Sequence, residues 1–320
     1  MELQTVIDTI NEITISESSV LRLYPLFEDA NGEIEIRLAD ITDEAASDLK
    51  EMLLGFLNSK FIDNDDLTYS FLTQADGRGN TAYEYDLQNK PFALQMLADV
   101  LKDSSRPAFS FTDDDISGIT GFIILIGDEA HRLTLYKSHH RLSTMKAKKS
   151  YSLFRSVDRF VKVDEDILRL SKHVEFVQID DSLIVCDLNA LERTFGYETV
   201  IREQAQSNIN FINDLGLLDD IAPLVEMAID LKHAKKLVRI KTDSPVTQLP
   251  LATVVSFVMS HKPIMKKFRL SDDGSKLRLD TMVSKKLFLA LMNDDLLTSE
   301  LTKLYYAGVA KDKMEIDDAE

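Results

Sequence analysis

Four carboxylates near the middle of the chain have the residue types that could carry metal-dependent chemistry. Asp180, Asp181, Asp187 and Glu192 lie within a stretch of thirteen residues. Clustered carboxylates hold divalent ions beside a scissile phosphate in nucleases. Asp180 and Asp181 are also typical of a hairpin turn, and Glu192 of a helix cap, so structural roles account for them. A nuclease is therefore the second hypothesis, and we assign no catalytic residue and no metal ligand.

Other enzyme patterns are missing from the sequence. It contains no Gly-Lys-Ser or Gly-Lys-Thr phosphate loop, no Gly-x-Ser-x-Gly and no His-Glu-x-x-His. His139 and His140 are adjacent on an extended segment, where neighbouring side chains point apart. Cys186, the single cysteine, lies in an apolar run and is interpreted as a buried side chain. We therefore expect no cofactor and, with one cysteine, a protein suited to a reducing cytoplasm.

Charge is distributed unevenly along the chain, whose formal net charge is −17. Residues 1–129 contain 8 basic and 26 acidic side chains, whereas residues 130–162 contain 9 basic side chains and one acidic one. Residues 232–286 form a second basic block, with 13 basic and 4 acidic side chains. A polyanion responds to local potential, because charges are screened over about 8 Å at physiological salt. Two segments of an acidic protein are thus candidates for binding nucleic acid.

The candidate DNA-contacting residues are cations of these two blocks. In a predicted strand at 131–137, alternation places Leu133 and Leu135 on one face. Arg132, Thr134 and Tyr136 share the other, which we expect to be exposed; a cation beside an aromatic ring there fits a sugar-phosphate backbone. An ordinary solvated strand face is the alternative, as are favourable charges at a helix C-terminus for the second block. The candidates are Arg132, Lys137, Arg141, Lys146, Lys148, Lys149, Arg155, Lys235, Lys236, Lys266 and Lys267.

Apolar patterning predicts an α+β fold, with an N-terminal α/β domain followed by a mixed domain of strand hairpins and helices. Alternation and turn residues predict hairpins within 20–38, 119–137 and 174–186. Helices are expected after Thr42, an N-cap residue type, and after Pro91. Ile201, Ala205, Ile209 and Ile212 form one helical stripe, which predicts a core-facing helix.

A Ser- and Asp-rich stretch at 103–118 separates the predicted domains. We expect an acidic N-terminal α+β domain at 1–112, a domain carrying the basic segments at 117–311, and a polar tail at 312–320. The longest nearly uncharged run has twelve residues, at 116–127, whereas a membrane-spanning helix needs roughly 20. No membrane span is therefore predicted.

The order of features from residue 118 to residue 200 resembles the Kiwa anti-phage KwaB-like family. An apolar strand leads to a Leu-Tyr-Lys triplet and a lysine cluster, then to a hairpin and the start of a helix. The segments that carry the resemblance are Gly121-Phe122-Ile123-Ile124-Leu125-Ile126, Leu135-Tyr136-Lys137, the run from Phe160 to Leu170, the run from Val174 to Val185, and the run from Asn189 to Tyr197. The domain at 117–311 is thereby interpreted as KwaB-like.

The resemblance implies a cytosolic component of a bacterial defence system that works with a small multi-pass membrane protein of the KwaA type. Such a protein would lie peripherally at the inner membrane through its partner. Family members are described as binding DNA and limiting phage replication, without an established catalytic site. We therefore expect a non-enzymatic effector that binds double-stranded DNA, as a homodimer or higher homo-oligomer. The alternatives are a metal-dependent nuclease of the same system and a structural adaptor whose basic blocks contact an acidic partner surface or anionic lipids.

Overall fold

The protein divides into two compact units in the computed structural model. The structure describes residues 1–28, 33–75, 79–110, 112, 114–146, 153–156, 159–240, 244–299, 302 and 304–308. The first unit comprises Met1–Leu72, Gly79–Tyr85 and Lys90–Phe195, and the second comprises Thr73–Arg78, Asp86–Asn89 and Gly196–Glu320, each within those limits. Both units combine helices with strands, which confirms the predicted α+β class.

The first unit is built on strands, with four α-helices among its described residues. The helices are α1 (Leu3–Ile15), α2 (Asp43–Leu57, continued by a π-turn at Asn58–Ile62), α3 (Phe92–Lys102) and α4 (Leu188–Thr194). The strands are β1 (Val20–Glu28), β2 (Ile34–Ile36), β3 (Thr68–Phe71), β4 (Thr81–Glu84), β5 (Ile119–Gly127), β6 (Arg132–Ser138), β7 (Thr144–Met145), β8 (Leu153–Ser156), β9 (Arg159–Lys162), β10 (Ile167–Leu168), β11 (Phe176–Ile179) and β12 (Ser182–Val185).

Eight of these strands form one sheet in the order β2-β1-β5-β6-β11-β12-β4-β3. All neighbours are antiparallel except β3 and β4, which are parallel. The three predicted hairpins are confirmed as β1–β2, β5–β6 and β11–β12. Two small two-stranded sheets, β7–β10 and β8–β9, lie between β6 and β11 in the sequence.

One face of the large sheet packs against α1 and α2. Leu23 of β1, Ile124 of β5 and Leu135 of β6 lie side by side in register and are buried. They share a core with apolar side chains of α1 and α2. Thr42 caps α2 as predicted, because its hydroxyl accepts a hydrogen bond from the Ala45 amide at 3.3 Å.

The opposite face of the sheet is covered as well, which corrects the prediction for β6. Thr134 is 0% exposed and Tyr136 is 5% exposed, although we expected both on a solvated face beside Arg132. Helix α3 covers this face, and the Thr134 hydroxyl donates to the Leu97 carbonyl at 3.0 Å. Tyr136 packs edge-on against Phe176 and Phe195, and burial raises its pKa. Only Arg132, at the start of the strand, remains exposed among the three.

The turn between β5 and β6 requires glycine at position 127. Gly127 has φ +135°, and a Cβ atom there would lie 2.1 Å from the His131 carbonyl oxygen. Asp128 closes the turn by accepting hydrogen bonds from the amides of Ala130 and His131, both at 2.8 Å. The turn thereby fixes where β6 begins, at Arg132.

The main division of the chain lies elsewhere than in the sequence-based expectation. We expected separate domains at 1–112 and 117–311, whereas the units of the structure part at Phe195 and Gly196. The physical reason is strand pairing: β1 pairs with β5 along eight residue positions, and β4 pairs with β12. Strands from both predicted domains thus share one sheet. The predicted tail at 312–320 lies outside the described residues.

The second unit is mainly helical in its described part. Its elements are α5 (Tyr197–Asp214), α6 (Ala222–Ala228), α7 (Leu231–Val238), α8 (Leu251–Ser260), β13 (Arg269–Leu270), β14 (Leu277–Arg278), α9 (Met282–Met292), β15 (Leu296–Thr298) and β16 (Tyr305–Ala307). The predicted stripe of α5 is confirmed, because Ile201, Ala205, Ile209 and Ile212 are all buried. Strand β13 pairs with β14, and β15 pairs with β16.

Candidate nucleic-acid interface

Lys137, one of the predicted DNA contacts, lies in the interior of the first unit. It is 5% exposed, and its ammonium donates hydrogen bonds to the Ser171 hydroxyl and the His173 carbonyl, both at 2.7 Å. Burial lowers the pKa of Lys137, while the charge of Glu175 acts in the opposite direction. Lys137 therefore anchors the segment between β10 and β11, and its side chain is not available to a DNA backbone.

Replacing Lys137 by methionine tests this structural role. We expect Lys137→Met to lower the free energy of unfolding by about 1–3 kcal/mol, because it removes both hydrogen bonds of a buried ammonium and leaves their partly buried acceptors without this donor. The measurement is urea denaturation together with duplex binding, and we expect the affinity to change by less than about twofold. Lys172→Met, at an exposed neighbouring position, is the matched control and should change stability by less than about 0.5 kcal/mol. A stable Lys137→Met variant that loses DNA binding would contradict the assignment.

Lys146, at the end of β7, is partly buried and forms an ion pair with Asp115. Asp115 precedes β5 and also accepts a hydrogen bond from the Ser117 amide at 2.8 Å. The Lys146 ammonium and the Ser117 hydrogen bond hold the pKa of this carboxyl well below its usual range. The sequence shows Lys146 in a segment poor in acids, but the fold supplies a counterion 31 residues away. DNA would have to compete with Asp115 for this lysine.

Arg132 is the exposed cation of β6, and the sheet brings a second arginine to the same face. Arg22 of β1 lies opposite Leu125 of β5, and Gly127, two residues further along β5, lies opposite Arg132. Both arginines line a cavity of about 670 Å³. The Arg22 guanidinium donates to the Ser104 hydroxyl at 2.5 Å. Sequence reasoning missed Arg22, because it lies 110 positions from Arg132 in a strongly acidic segment.

Of the four remaining predicted contacts of the first block, two lie in described elements. Arg141 lies in a 3-10 turn after β6, and Arg155 lies in β8. Lys148 and Lys149 lie outside the described residues. The first basic block thus contributes Arg132 as a described exposed candidate, whereas Lys137 and Lys146 have partners within the protein.

The second basic block begins with the lysines of α7. Lys232 and Lys236 are one turn apart on this helix and exposed, and no acidic side chain of the described residues is in ion-pair contact with either. Lys235 lies over the Tyr197 ring, with the ammonium 5.7 Å from the ring centroid. Lys235 and Lys236 lie in the last turn of α7, where a positive charge interacts favourably with the helix dipole.

A second group of lysines follows α8. Lys262, Lys266 and Lys267 lie in consecutive turns and are exposed, and none is paired with a carboxylate in the part of the chain that the structure describes. Other cations of the same block do have acidic neighbours. Arg278 lies 3.5 Å from Asp280, and Lys285 lies 3.2 Å from Glu226. The second unit therefore combines neutralised cations with a set of lysines that an external anion could contact.

The four candidate carboxylates have structural surroundings. Asp180 adopts φ +46° in the β11–β12 turn, and Asp181 is nearly fully exposed beside Lys102. Asp187 caps α4 by accepting hydrogen bonds from the amides of Asn189 at 2.9 Å and Ala190 at 3.2 Å. The cap that we expected to involve Glu192 is thus provided by Asp187. Within the described ranges, no group of three or more His, Cys, Asp or Glu side chains is arranged to hold a metal ion.

The predicted burial of Cys186 is confirmed. Its thiol lies at the end of β12 in the core of the first unit, and burial raises its pKa to about 12. The described helices include none that is long and apolar enough to cross a bilayer.

The family-model match and the relative found by comparison with known proteins agree with each other. The model of the family described as Kiwa protein KwaB-like matches residues 116–302. The chain is 29% identical over 290 residues to Kiwa protein KwaB of Escherichia coli O55:H7 (strain RM12579 / EPEC), covering 88% of this chain and 90% of that protein. No solved structure matches significantly. Because the family model covers more than half of the chain, the chain belongs to the Kiwa protein KwaB-like family of anti-phage defence components.

Proposed function

We propose that the chain is a non-enzymatic effector that binds double-stranded DNA and thereby limits replication of phage DNA. The observation that carries the proposal is a set of exposed lysines in the second unit for which the described residues provide no acidic partner. This set, which we call the open lysines, consists of Lys232, Lys236, Lys262, Lys266 and Lys267. Because no carboxylate of the described residues neutralises their charges, they can neutralise phosphates instead.

Counterion release supplies the driving force for such binding. Each phosphate that a lysine neutralises frees about 0.9 of a condensed cation from the duplex, which makes association strongly dependent on salt. The net charge of −17 opposes approach at long range. Screening over about 8 Å restricts this opposition to carboxylates near the contact surface. Local lysines therefore decide the affinity at physiological salt, and the sequence of the DNA has little influence.

The proposal predicts the salt dependence of duplex binding by the unmodified protein. With about five phosphate contacts, the logarithm of the affinity should fall with the logarithm of the salt concentration with a slope near −4 to −5. Between 50 and 200 mM salt, the affinity should then fall by about two to three orders of magnitude. Fluorescence anisotropy with two labelled duplexes of unrelated sequence measures both the slope and the sequence dependence. A slope shallower than about −1 would contradict binding through the phosphate backbone.

The same samples test the non-enzymatic part of the proposal. Duplex DNA incubated with the protein and Mg²⁺ should remain intact on a denaturing gel. Cleavage that is abolished by Asp180→Ala or Glu192→Ala in a folded protein would replace the proposal with the nuclease hypothesis.

We further propose a small multi-pass membrane protein of the KwaA type as the partner, and assembly into a homodimer or higher homo-oligomer. Both are what the resemblance to the KwaB-like family implied in the sequence analysis. The chain would then be cytoplasmic and peripheral to the inner membrane through this partner. Co-expression followed by membrane flotation tests the arrangement, because the chain should float only when the partner is present. Flotation with anionic vesicles alone would instead favour an adaptor that binds lipids directly.

A further inference from the structure

Exposed aromatic side chains cluster at one place on the second unit. Phe257 of α8 stacks on His261, with ring centroids 4.7 Å apart. His261 contacts Tyr305 of β16 edge-on, with centroids 4.9 Å apart. Tyr305 is 45% exposed. His261 thus contacts both other rings, while Tyr305 still presents much of its surface to solvent.

Three open lysines lie within two turns of this cluster. Lys262 follows His261 directly in the chain. The amides of Ile264 and Met265 both donate to the His261 carbonyl, at 3.0 and 2.9 Å, so the chain folds back immediately after the histidine. The Lys267 amide donates to the Ile264 carbonyl at 2.8 Å, and Ile264 is buried, which anchors the turn. The lysine group is therefore held close to the aromatic rings.

We propose that Phe257, His261 and Tyr305 form a stacking platform for unpaired DNA bases, with Lys262, Lys266 and Lys267 contacting the strand's phosphates. This inference rests on the proposed function and specifies the DNA form recognised at this surface. Unpaired bases expose aromatic faces, which stack on protein rings and strengthen binding by about 5- to 150-fold per base. A paired duplex hides those faces, so the platform distinguishes single strands, frayed ends and unwound regions from continuous duplex.

Charge and ring type together favour a nucleic acid as the occupant. The lysines beside the rings have no carboxylate partner among the described residues, so an anionic ligand can neutralise their charges. Single-stranded DNA supplies both the phosphates that would contact the lysines and the flat base rings that would stack on the aromatic side chains. A lipid surface would also satisfy lysines and tyrosines, and the experiment separates it from DNA.

A tryptophan reporter tests the platform directly, because the chain contains no tryptophan. In Tyr305→Trp, saturating oligo(dT) at 50 mM salt should quench the emission by about half or more through stacking. Ile15→Trp is the control: it places the only indole on α1 of the acidic first unit, at a position that is 73% exposed, and its emission should stay constant. Equal emission of Tyr305→Trp with and without oligo(dT), under conditions where anisotropy shows binding, would overturn the platform.

Affinity measurements separate this inference from duplex binding. Tyr305→Ala should weaken oligo(dT) binding at least about fivefold and change the affinity for covalently closed circular duplex by less than about twofold. Equal loss on both ligands, or no loss on either, would overturn the platform while leaving duplex binding in place. Emission changes with phosphatidylglycerol vesicles but not with oligo(dT) would identify a lipid-docking surface and overturn it too. Failure of the unmodified protein to bind any DNA would remove the proposed function and the platform together.

Discussion

Replacing all five open lysines by glutamine is expected to weaken duplex binding at least about 100-fold at 50 mM salt. Each lysine that contacts a phosphate contributes one counterion-release step, and these contributions accumulate. The change should be uniform across DNA sequences, because phosphate contacts carry no sequence information. Stability should be nearly unchanged, since substitutions at exposed side chains usually change stability little. Anisotropy titrations with circular dichroism as a folding check measure both effects.

The matched control removes the same number of charges from the first unit. Lys50, Lys60, Lys90, Lys102 and Lys172 are changed to glutamine, and the affinity should fall by less than about threefold. Several of these lysines are already engaged: Lys50 donates to the Ser19 carbonyl at 2.7 Å, and Lys102 lies 3.9 Å from Asp181. Equal losses in both five-lysine variants would mean that net charge alone governs binding, which would contradict a local lysine surface.

Asn208→Leu is expected to destabilise the second unit by about 2–4 kcal/mol. The Asn208 amide nitrogen lies 2.9 Å from the carbonyl oxygens of Leu237 and Ile240, at the C-terminal end of α7. Its side-chain oxygen accepts a hydrogen bond from Gln204 at 2.9 Å. Leucine has a similar size but no donors, so the buried Ile240 carbonyl loses its Asn208 donor, and the Leu237 carbonyl keeps only its backbone partner, the Ile240 amide at 3.1 Å. Because α7 carries Lys232 and Lys236, this buried amide also fixes part of the candidate interface.

Thermal unfolding followed by circular dichroism at 222 nm measures the effect of Asn208→Leu, and we expect Tm to fall by several degrees. Asn210→Leu provides the control on the same helix, because Asn210 is exposed and should change Tm by no more than about two degrees. Unchanged unfolding of Asn208→Leu would show that the carbonyls at the end of α7 find other partners, and would contradict the role assigned to Asn208.

Local signals in the sequence predict local structure well in this protein. Alternation and turn residues located the three hairpins of the large sheet, and the Thr42 cap located the start of α2. These signals succeed because their physical causes, namely side-chain direction and backbone capping, act over a few residues. The apolar stripe of α5 succeeded for the same reason.

Burial and pairing across the chain were harder to predict. Alternation in β6 separates its two faces but does not reveal that α3 covers the face carrying Thr134 and Tyr136. Likewise, the burial of Lys137 depends on the segment after β10, and the charge of Lys146 is compensated by Asp115 from another element. Each outcome depends on contacts between distant segments, which composition and periodicity do not encode. The exposed lysines without an acidic partner among the described residues consequently lie in the second basic block, and we place the candidate site there.

The pairing of β1 with β5 is also a contact between distant segments of the chain, and local patterns did not predict it. A Ser- and Asp-rich stretch at 103–118 resembles a linker in composition, yet it connects α3 with β5, a strand of the large sheet that also contains β1. The pairing also places Arg22 on one face with Arg132, an association that no local pattern indicates. Strand order in a sheet is a tertiary property, because any two strands of suitable pattern can pair.

The salt dependence of Lys262→Gln/Lys266→Gln/Lys267→Gln tests the central claim most directly. Duplex affinity is measured by anisotropy between 50 and 200 mM salt for this variant and for the unmodified protein. If these three lysines contact phosphates, the slope of log affinity against log salt concentration should become shallower by about 2 to 3. Identical slopes for the two proteins would contradict the claim that the open lysines bind the DNA backbone.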